Sequence, residues 1–416
     1  MATHINPSSF FVERKQTILI KPSRATPNHH LSVSTIDNDP NLDIICQTIY
    51  VYLARDDDDK DPVAAIEKGL SEALFYYYPL AGRLTRHDGD GKLRVNCTGE
   101  GVPFTPASAD CTLASLLLQV TRFACGGFTV GMSLSHAVCD GFGSGQFFRA
   151  VAELASGRHD APTVKPVWER DRLVGTAPPE HLAMPFPVDK SSLASSPLLP
   201  SADLVHGSFD VDAESLRRLK TVSSESLTTL EVLGAFVWRA KFRALEMNLD
   251  GNTHFSLAIG IRSVISPPLT DGYYGNAFIG SHVIMTGREL CEGPLSKVAM
   301  MIKDSKRTAG NAGYVWSWLG IMERANQEKK KIEENGASLI VTDWRHLGLL
   351  EADFGWKNSV NVVPVPWGLF GSLDISIFLP PFHLDKSMEG GLRVLMCLPR
   401  IAMARFEEEM ELLKQN

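Results

Sequence analysis

Residues 162–201 interrupt the sequence pattern more than any other stretch of the chain. They are rich in Pro, Ser and Ala and show little periodicity, whereas both flanking halves alternate β-type and helical patterns. A segment of this length without regular structure is typical of a linker or a functional crossover. The chain has 416 residues, more than the roughly 250–300 that one core usually serves. We therefore predict two α/β domains joined across a crossover.

Charge and cysteine content narrow the possible partners. The net charge of -7 and the lack of a basic tract argue against nucleic acid. No apolar run approaches the roughly 20 residues that a membrane span needs. The 7 cysteines are scattered without Cys-x-x-Cys pairs, which favours reduced thiols and argues against a zinc site. We expect a cytoplasmic protein with no metal, no bound cofactor, and neither a nucleic acid nor a membrane as partner.

One histidine has the sequence context of a catalytic base. His136 follows a β-type apolar run, Phe128–Ser135, and precedes Asp140 by four residues. A glycine-rich turn and a helix-patterned stretch, residues 146–154, come next. A histidine at the end of a strand, beside backbone that can approach a ligand closely, is suited to general-base catalysis. We predict that role for His136.

The same spacing occurs again at His206 and Asp210. This copy follows the Pro/Ser-rich stretch and opens a strand, with no glycine turn or helix directly after it. We therefore interpret it as structural. The glycines after Asp140 are spaced as G-x-G-x-G, which is only a weak match to a dinucleotide-binding fingerprint.

A second motif, Asp353-Phe-Gly-Trp-Lys357, precedes a β-type run near the end of the chain. Together with the His136 motif, and in this order, it resembles the plant BAHD acyltransferases, which pair His-x-x-x-Asp with Asp-Phe-Gly-Trp-Gly. The resemblance runs from about Ile18 to Leu412 and includes further similar blocks, among them Tyr77-Tyr-Pro-Leu-Ala-Gly-Arg83, Val167-Trp-Glu-Arg170, Pro267-Pro-Leu-Thr-Asp-Gly-Tyr-Tyr-Gly-Asn276 and Thr342-Asp-Trp-Arg345.

The sequence departs from the family pattern at two places. Lys357 stands where the family has the last glycine of the second motif. The segment near residues 112–118 is shorter than its family counterpart, either through loss of a loop or because residues of the native chain are missing from the sequence.

The resemblance implies a fold and a reaction. The fold is α/β, with two chloramphenicol-acetyltransferase-like domains of mixed sheet and helices joined by a long crossover loop. We assign residues 1–178 to an N-terminal domain with the His136 motif, 179–205 to the crossover, and 206–416 to a C-terminal domain with the second motif. Acyl-CoA is the implied co-substrate. It enters a tunnel from one face while a small-molecule acceptor enters from the other, and the family habit implies a monomer.

The resemblance also suggests residue roles around the reacting carbonyl. His136 takes a proton from the acceptor, and Trp344, near Thr342, faces the carbonyl oxygen. Asp140 pairs with Arg262 as a structural ion pair, with a catalytic triad as the open alternative. The scaffold of the second motif comprises Asp353, Gly355 and Trp356. Candidates for contacting coenzyme A are Thr228, Thr229 and Arg262.

Several blocks, such as Thr228-Thr-Leu-Glu-Val-Leu-Gly234, look closest to the spermidine hydroxycinnamoyl transferases of the family. This implies transfer of a hydroxycinnamoyl group to a polyamine. A polyammonium chain must be paired with carboxylates to be bound, and Glu351, Asp374 and Asp385 lie near the right segment, with Glu351 and Asp374 as the candidates for acceptor contact. Lys357 would oppose a cationic acceptor if it faced the pocket. Acylation of an alcohol and a non-catalytic scaffold role remain alternatives.

Overall fold

The computed structural model of the protein describes residues 11–54, 60–109, 120–123, 125–176, 190–221, 226–329, 333–357, 359–365 and 368–415. The short segment predicted near residues 112–118 lies outside these ranges, and so do residues 177–189 at the predicted domain junction. No helix of the described ranges is both long and apolar enough to cross a membrane.

Five strands from the first half of the chain and one from near its end build a six-stranded sheet. Its order is β1-β8-β9-β10-β4-β15, with the strands β1 (Val12–Arg14), β4 (Ile45–Tyr52), β8 (Pro106–Ala109), β9 (Val120–Phe123), β10 (Phe128–Ser135) and β15 (Asn361–Pro364). The long central pair, β4 and β10, is antiparallel, with Phe128 opposite Tyr52 and Ser135 opposite Ile45. This register brings the residue after β10, His136, to the edge of the sheet at which β4 begins.

Two smaller sheets and two helices complete this half. The small sheets are formed by β2 (Ile18–Ile20) with β7 (Val102–Phe104), and by β3 (His30–Ser32), β6 (Leu93–Asn96) and β5 (Arg83–Arg86). Helices α1 (Pro62–Tyr76) and α2 (Gly141–Ser156) pack together on the large sheet. Their contact is close, because a Cβ on Gly69 would lie 2.6 Å from the Ala155 Cβ.

The second half builds its own six-stranded sheet in the order β11-β17-β16-β14-β12-β13. The strands are β11 (Leu204–Val211), β12 (Asn252–Gly260), β13 (Phe278–Thr286), β14 (Ser338–Asp343), β16 (Ile375–Leu379) and β17 (Leu392–Pro399). Pairing is parallel between β12, β14 and β16 and antiparallel elsewhere. The helices of this half are α3 (Ala213–Lys220), α4 (Thr229–Ala244), α5 (Gly287–Glu292), α6 (Leu295–Ala309), α7 (Ala312–Gln327) and α8 (Arg400–Gln415).

The second motif belongs to the core of the first half, although we assigned it to the C-terminal domain by its position in the chain. Strand β15 pairs with β4, and Phe354 packs edge-on against Tyr52 with ring centroids 5.5 Å apart. Trp356 packs in the same way against Phe128 at 5.4 Å. Burial of these aromatic rings favours this exchange of a strand between the halves.

The predicted glycine-rich turn after Asp140 is wrong. Helix α2 begins at Gly141, and Asp140 caps it by accepting a hydrogen bond from the Gly143 N–H at 2.8 Å. Glycine is a poor helix former, which is why the pattern suggested a turn. The glycine at position 143 is required by contact, since a Cβ there would lie 1.9 Å from the Tyr274 carbonyl oxygen.

Candidate active site

A cavity of about 1200 Å³ lies between the two large sheets. Strand β10 and the start of α2 supply one wall, and β12, β13 and β14 supply the facing wall. His136 and Trp344 line it from opposite halves of the chain. A site at the meeting point of two domains is a common position for small-molecule chemistry.

His136 is held mainly through its backbone. Its N–H donates to the Ile44 carbonyl at 2.9 Å, and its carbonyl accepts from the Asn276 side-chain amide at 2.6 Å. The imidazole packs edge-on against Phe278, with ring centroids 6.0 Å apart. Nδ1 is buried without a hydrogen-bond partner among the described residues. Since His136 lines the cavity, Nε2 is the ring nitrogen left to act on a substrate.

The Asp140 carboxylate is engaged away from the imidazole. Arg262 donates to both of its oxygens, at 2.9 Å each. The Gly143 and Ala277 backbone N–H groups donate to it as well, at 2.8 and 3.1 Å. This bidentate arrangement fixes the start of α2 to the segment around Ala277. It is the geometry of the structural ion pair rather than that of a triad, in which the carboxylate would bond to the imidazole.

A second buried ion pair supports the same loop. The Arg170 and Asp37 side chains are both fully buried, with Nε and Oδ2 3.1 Å apart. Arg170 donates to the Val138 carbonyl at 2.7 Å, and Asp37 accepts at 2.7 Å from the same Asn276 amide that bonds to His136. This pair could not be predicted from the sequence, because 133 residues separate its members and neither lies in the two main motifs.

Trp344 and Thr342 stand at the end of β14. The Trp344 backbone N–H donates to the Phe378 carbonyl at 2.8 Å, and its ring packs edge-on against Phe370. Both Trp344 and Thr342 line the cavity. Among the described residues, the Trp344 indole N–H has no hydrogen-bond partner within the protein, so this donor is available to a substrate oxygen.

The second motif lies outside the described cavity lining. Asp353 accepts from Arg158 at 2.9 Å and from the Gly355 N–H at 2.8 Å. The φ angle of Gly355 is 104°, and that of Lys357 is 68°, a region that favours glycine. This explains the glycine of the family pattern at position 357. The Lys357 side chain is exposed and does not line the cavity, so it does not oppose a cationic acceptor.

The other candidate contact residues occupy different places. Asp374 lines the cavity, but it pairs with the Lys241 ammonium at 2.9 Å. Glu351 is exposed, pairs with Arg149 and is outside the described lining. Thr228 caps α4 beside Thr229, and neither threonine lines the cavity. Of the four, the structure thus brings only Asp374 to the described walls.

The described cavity walls are acidic. Six of the lining side chains are carboxylates, namely Asp39, Asp140, Glu333, Glu334, Asp343 and Asp374. Arg262 is the one lysine or arginine among the described lining residues. Three of the carboxylates have a basic partner in the protein. Arg262 pairs with Asp140, Arg345 with Asp343, and Lys241 with Asp374. Such a wall attracts a positively charged ligand.

Two further histidines, which were not predicted as site residues, line the cavity. His254 on β12 and His282 on β13 stack with ring centroids 5.1 Å apart, and Nε2 of His254 lies 3.0 Å from Nδ1 of His282. Burial lowers the pKa of His254 to about 4 and, together with the neighbouring ring, that of His282 to about 3. Both rings are therefore neutral near pH 7. No local spacing could have indicated them, because their contact depends on strand pairing.

Cys139 lies inside the first motif and near the cavity, but it is a buried thiol. Burial raises its pKa far above the usual range. The thiol therefore stays protonated and unreactive near neutral pH.

Comparison with known proteins identifies the class. A model of the Transferase family matches residues 10–118 and 114–413. The chain is 40% identical to the spermidine sinapoyl-CoA acyltransferase of Arabidopsis thaliana, over 100% of both chains. It is 40% identical to the spermidine coumaroyl-CoA acyltransferase of the same plant, over 97% of this chain and 96% of the relative. The fold is similar to that of vinorine synthase, with a TM-score of 0.74 at 18% identity, covering 97% and 98% of the two chains.

The protein belongs to this family, the BAHD acyltransferases. It is an enzyme that uses acyl-CoA as its co-substrate. The two-domain α/β fold implied by the resemblance is confirmed by the match to vinorine synthase. The two pieces of the family match overlap at residues 114–118, where the sequence is shorter than the family pattern.

Proposed function

We propose that this enzyme transfers a hydroxycinnamoyl group from its CoA thioester to an amine of a polyamine such as spermidine. The acidity of the cavity walls carries the proposal, since six described lining side chains are carboxylates and Arg262, Arg345 and Lys241 pair with only three of them. A polyammonium chain needs such partners when it leaves water. The two Arabidopsis relatives that act with spermidine support the same acceptor class.

His136 acts as the general base in this proposal. As the amine nitrogen attacks the thioester carbonyl, Nε2 accepts the proton that the nitrogen must lose. The tetrahedral intermediate then collapses, the C–S bond breaks, and the leaving CoA thiolate takes the proton back from the imidazolium. The amide and free CoA are the products. His136 is then neutral again and can accept a proton in the next cycle. No covalent acyl-enzyme forms in this mechanism.

Trp344 supplies the donor for the oxyanion. Trp344 and His136 line the cavity from different halves of the chain, and the indole N–H has no described hydrogen-bond partner within the protein. A preorganised donor of this kind stabilises a tetrahedral intermediate by about 3 kcal/mol. Thr342, on the same wall, lies near this position. All these residues belong to one chain, and we propose that the enzyme acts as a monomer.

A panel of acceptors tests the proposal. Coumaroyl-, caffeoyl- and feruloyl-CoA are each incubated with spermidine, a long-chain alcohol or shikimate. Release of the CoA thiol is followed over time, and the masses of the products are measured by mass spectrometry. We expect fast thiol release with spermidine and a product heavier by one or more acyl groups. Clear transfer to the alcohol with none to spermidine would leave the acyltransferase class intact and remove the polyamine.

A further inference from the structure

Asp39 differs from the other three aspartates of the described cavity lining in its surroundings. It caps a short 3-10 helix, Pro40–Leu42, and accepts hydrogen bonds from the backbone N–H and the side-chain amide of Asn41, at 2.9 and 2.7 Å. Both donors are neutral. Among the described residues, no lysine or arginine pairs with Asp39, although the side chain is partly buried.

The contrast with its neighbours is clear. Asp140 has Arg262, Asp343 has Arg345 at 2.6 Å, and Asp374 has Lys241 at 2.9 Å. These three are neutralised by the protein itself. Asp39 lines the same cavity with its charge uncompensated by any described lysine or arginine, and a partly buried anion of this kind is costly unless a ligand pairs with it.

Asp39 also lies close to the catalytic base. Burial raises the pKa of the Asp39 carboxyl, while the hydrogen bonds from Asn41 and the field of the nearby His136 oppose the rise. Asp37, two residues earlier, connects through Asn276 to the His136 carbonyl. The segment that carries Asp39 is thus fixed to the segment that carries His136.

We propose that Asp39 binds an ammonium group of the acceptor, so that the neighbouring amine of the same molecule reaches His136. The proposal rests on the polyamine function and names the residue that recognises the charge. It requires an acceptor with at least two amines, one protonated at Asp39 and one free to attack. A monoamine cannot satisfy both positions at once.

A different role would be electrostatic help to His136 alone. In that case Asp39 would stabilise the imidazolium that forms during the reaction, and its loss would lower kcat with every acceptor. The two roles separate when a diamine or triamine is compared with a monoamine. Spermidine and n-butylamine are suitable probes, since butylamine lacks the second ammonium.

The decisive variant is Asp39→Asn, with Asp39→Ser as a second choice if the first is unstable. Asn and Ser both cap helices well, so the short helix is kept while the charge is removed. Asp385→Asn is a matched control. Asp385 caps a 3-10 helix of the same length, Lys386–Met388, by accepting from the Ser387 N–H at 2.9 Å, and it does not line the cavity.

Steady-state kinetics with coumaroyl-CoA decide between the outcomes. We expect Asp39→Asn to raise KM for spermidine roughly ten- to hundredfold, the range for loss of a hydrogen bond to a charged group. KM and kcat for n-butylamine should stay within about twofold of wild type, and Asp385→Asn should behave as wild type. An unchanged KM for spermidine, or an equal loss of kcat with both amines, would overturn the proposal. Wild-type enzyme that transfers to no polyamine would overturn the proposed function first, and this inference with it.

Discussion

His136 and His206 each precede an aspartate by four residues, but their surroundings in the fold differ. His136 lines the cavity, whereas His206 is exposed on β11. We expect His136→Ala to lower kcat at least about a hundredfold, the usual contribution of a general base, without a change in melting temperature. His206→Ala should retain wild-type kcat, and a loss there as large as at position 136 would show that the wrong copy was chosen.

Asp140 should matter mainly for stability. Its carboxylate bonds to Arg262 and two backbone N–H groups, and breaking one side of a buried pair costs about 3–5 kcal/mol. We therefore predict a loss of this size in the free energy of urea unfolding for Asp140→Asn. The loss should not add to that of Arg262→Gln. If Asp140→Asn melted like wild type and yet lost activity as fully as His136→Ala, a triad role would replace the ion pair.

The strand pair β12 and β13 makes a prediction about acid stability. The folded pKa of His254 is about 4, below the roughly 6.5 of an unfolded histidine. The unfolded state therefore binds a proton first as the pH falls, and stability present above about pH 6.5 is lost toward pH 4. The loss from this residue is about 3 kcal/mol. Urea unfolding from pH 7 to pH 4 should show a shallower decline for His254→Gln than for wild type, and identical slopes would contradict the assignment.

The periodicity of apolar residues predicted the individual strands and helices better than it predicted which strands lie next to each other in a sheet. Strand β10 has the bounds of the apolar run that predicted it, Phe128–Ser135. The position of β15 in the sheet of the first half could not be predicted, because an apolar run indicates a strand and not its neighbour. The start of α2 was misread, since Gly143 is required by the approach of Tyr274 and not by a turn.

The candidate site was predictable where a motif marks it. His136, Trp344 and Thr342 line the cavity as the family pattern implies. Asp39, the Arg170–Asp37 pair and the two stacked histidines were not identified, because their significance depends on contacts between distant segments. Glu351 was selected as an acidic residue near the right segment, and its pairing with Arg149 outside the described lining was not visible in the sequence.

For the whole molecule, an acidic cavity and an amine acceptor predict a distinctive pH profile. An ammonium has no lone pair with which to attack, and free alkyl amines titrate near roughly 10. Turnover with spermidine at saturating acyl-CoA should therefore rise from about pH 7 toward about pH 9. With an alcohol acceptor this additional rise should be absent. If turnover with spermidine levelled off at the same pH as turnover with the alcohol, attack by a free amine would be contradicted.

The most direct test of the central claim is kcat/KM for spermidine and for a neutral alcohol, measured side by side at low and high salt. Attraction between a polyammonium chain and the acidic walls is screened as ionic strength rises. The account predicts that spermidine is the better acceptor at low salt, and that its kcat/KM falls as salt is added while the alcohol value stays constant. No detectable transfer to spermidine at either salt concentration, with clear transfer to the alcohol, would contradict it.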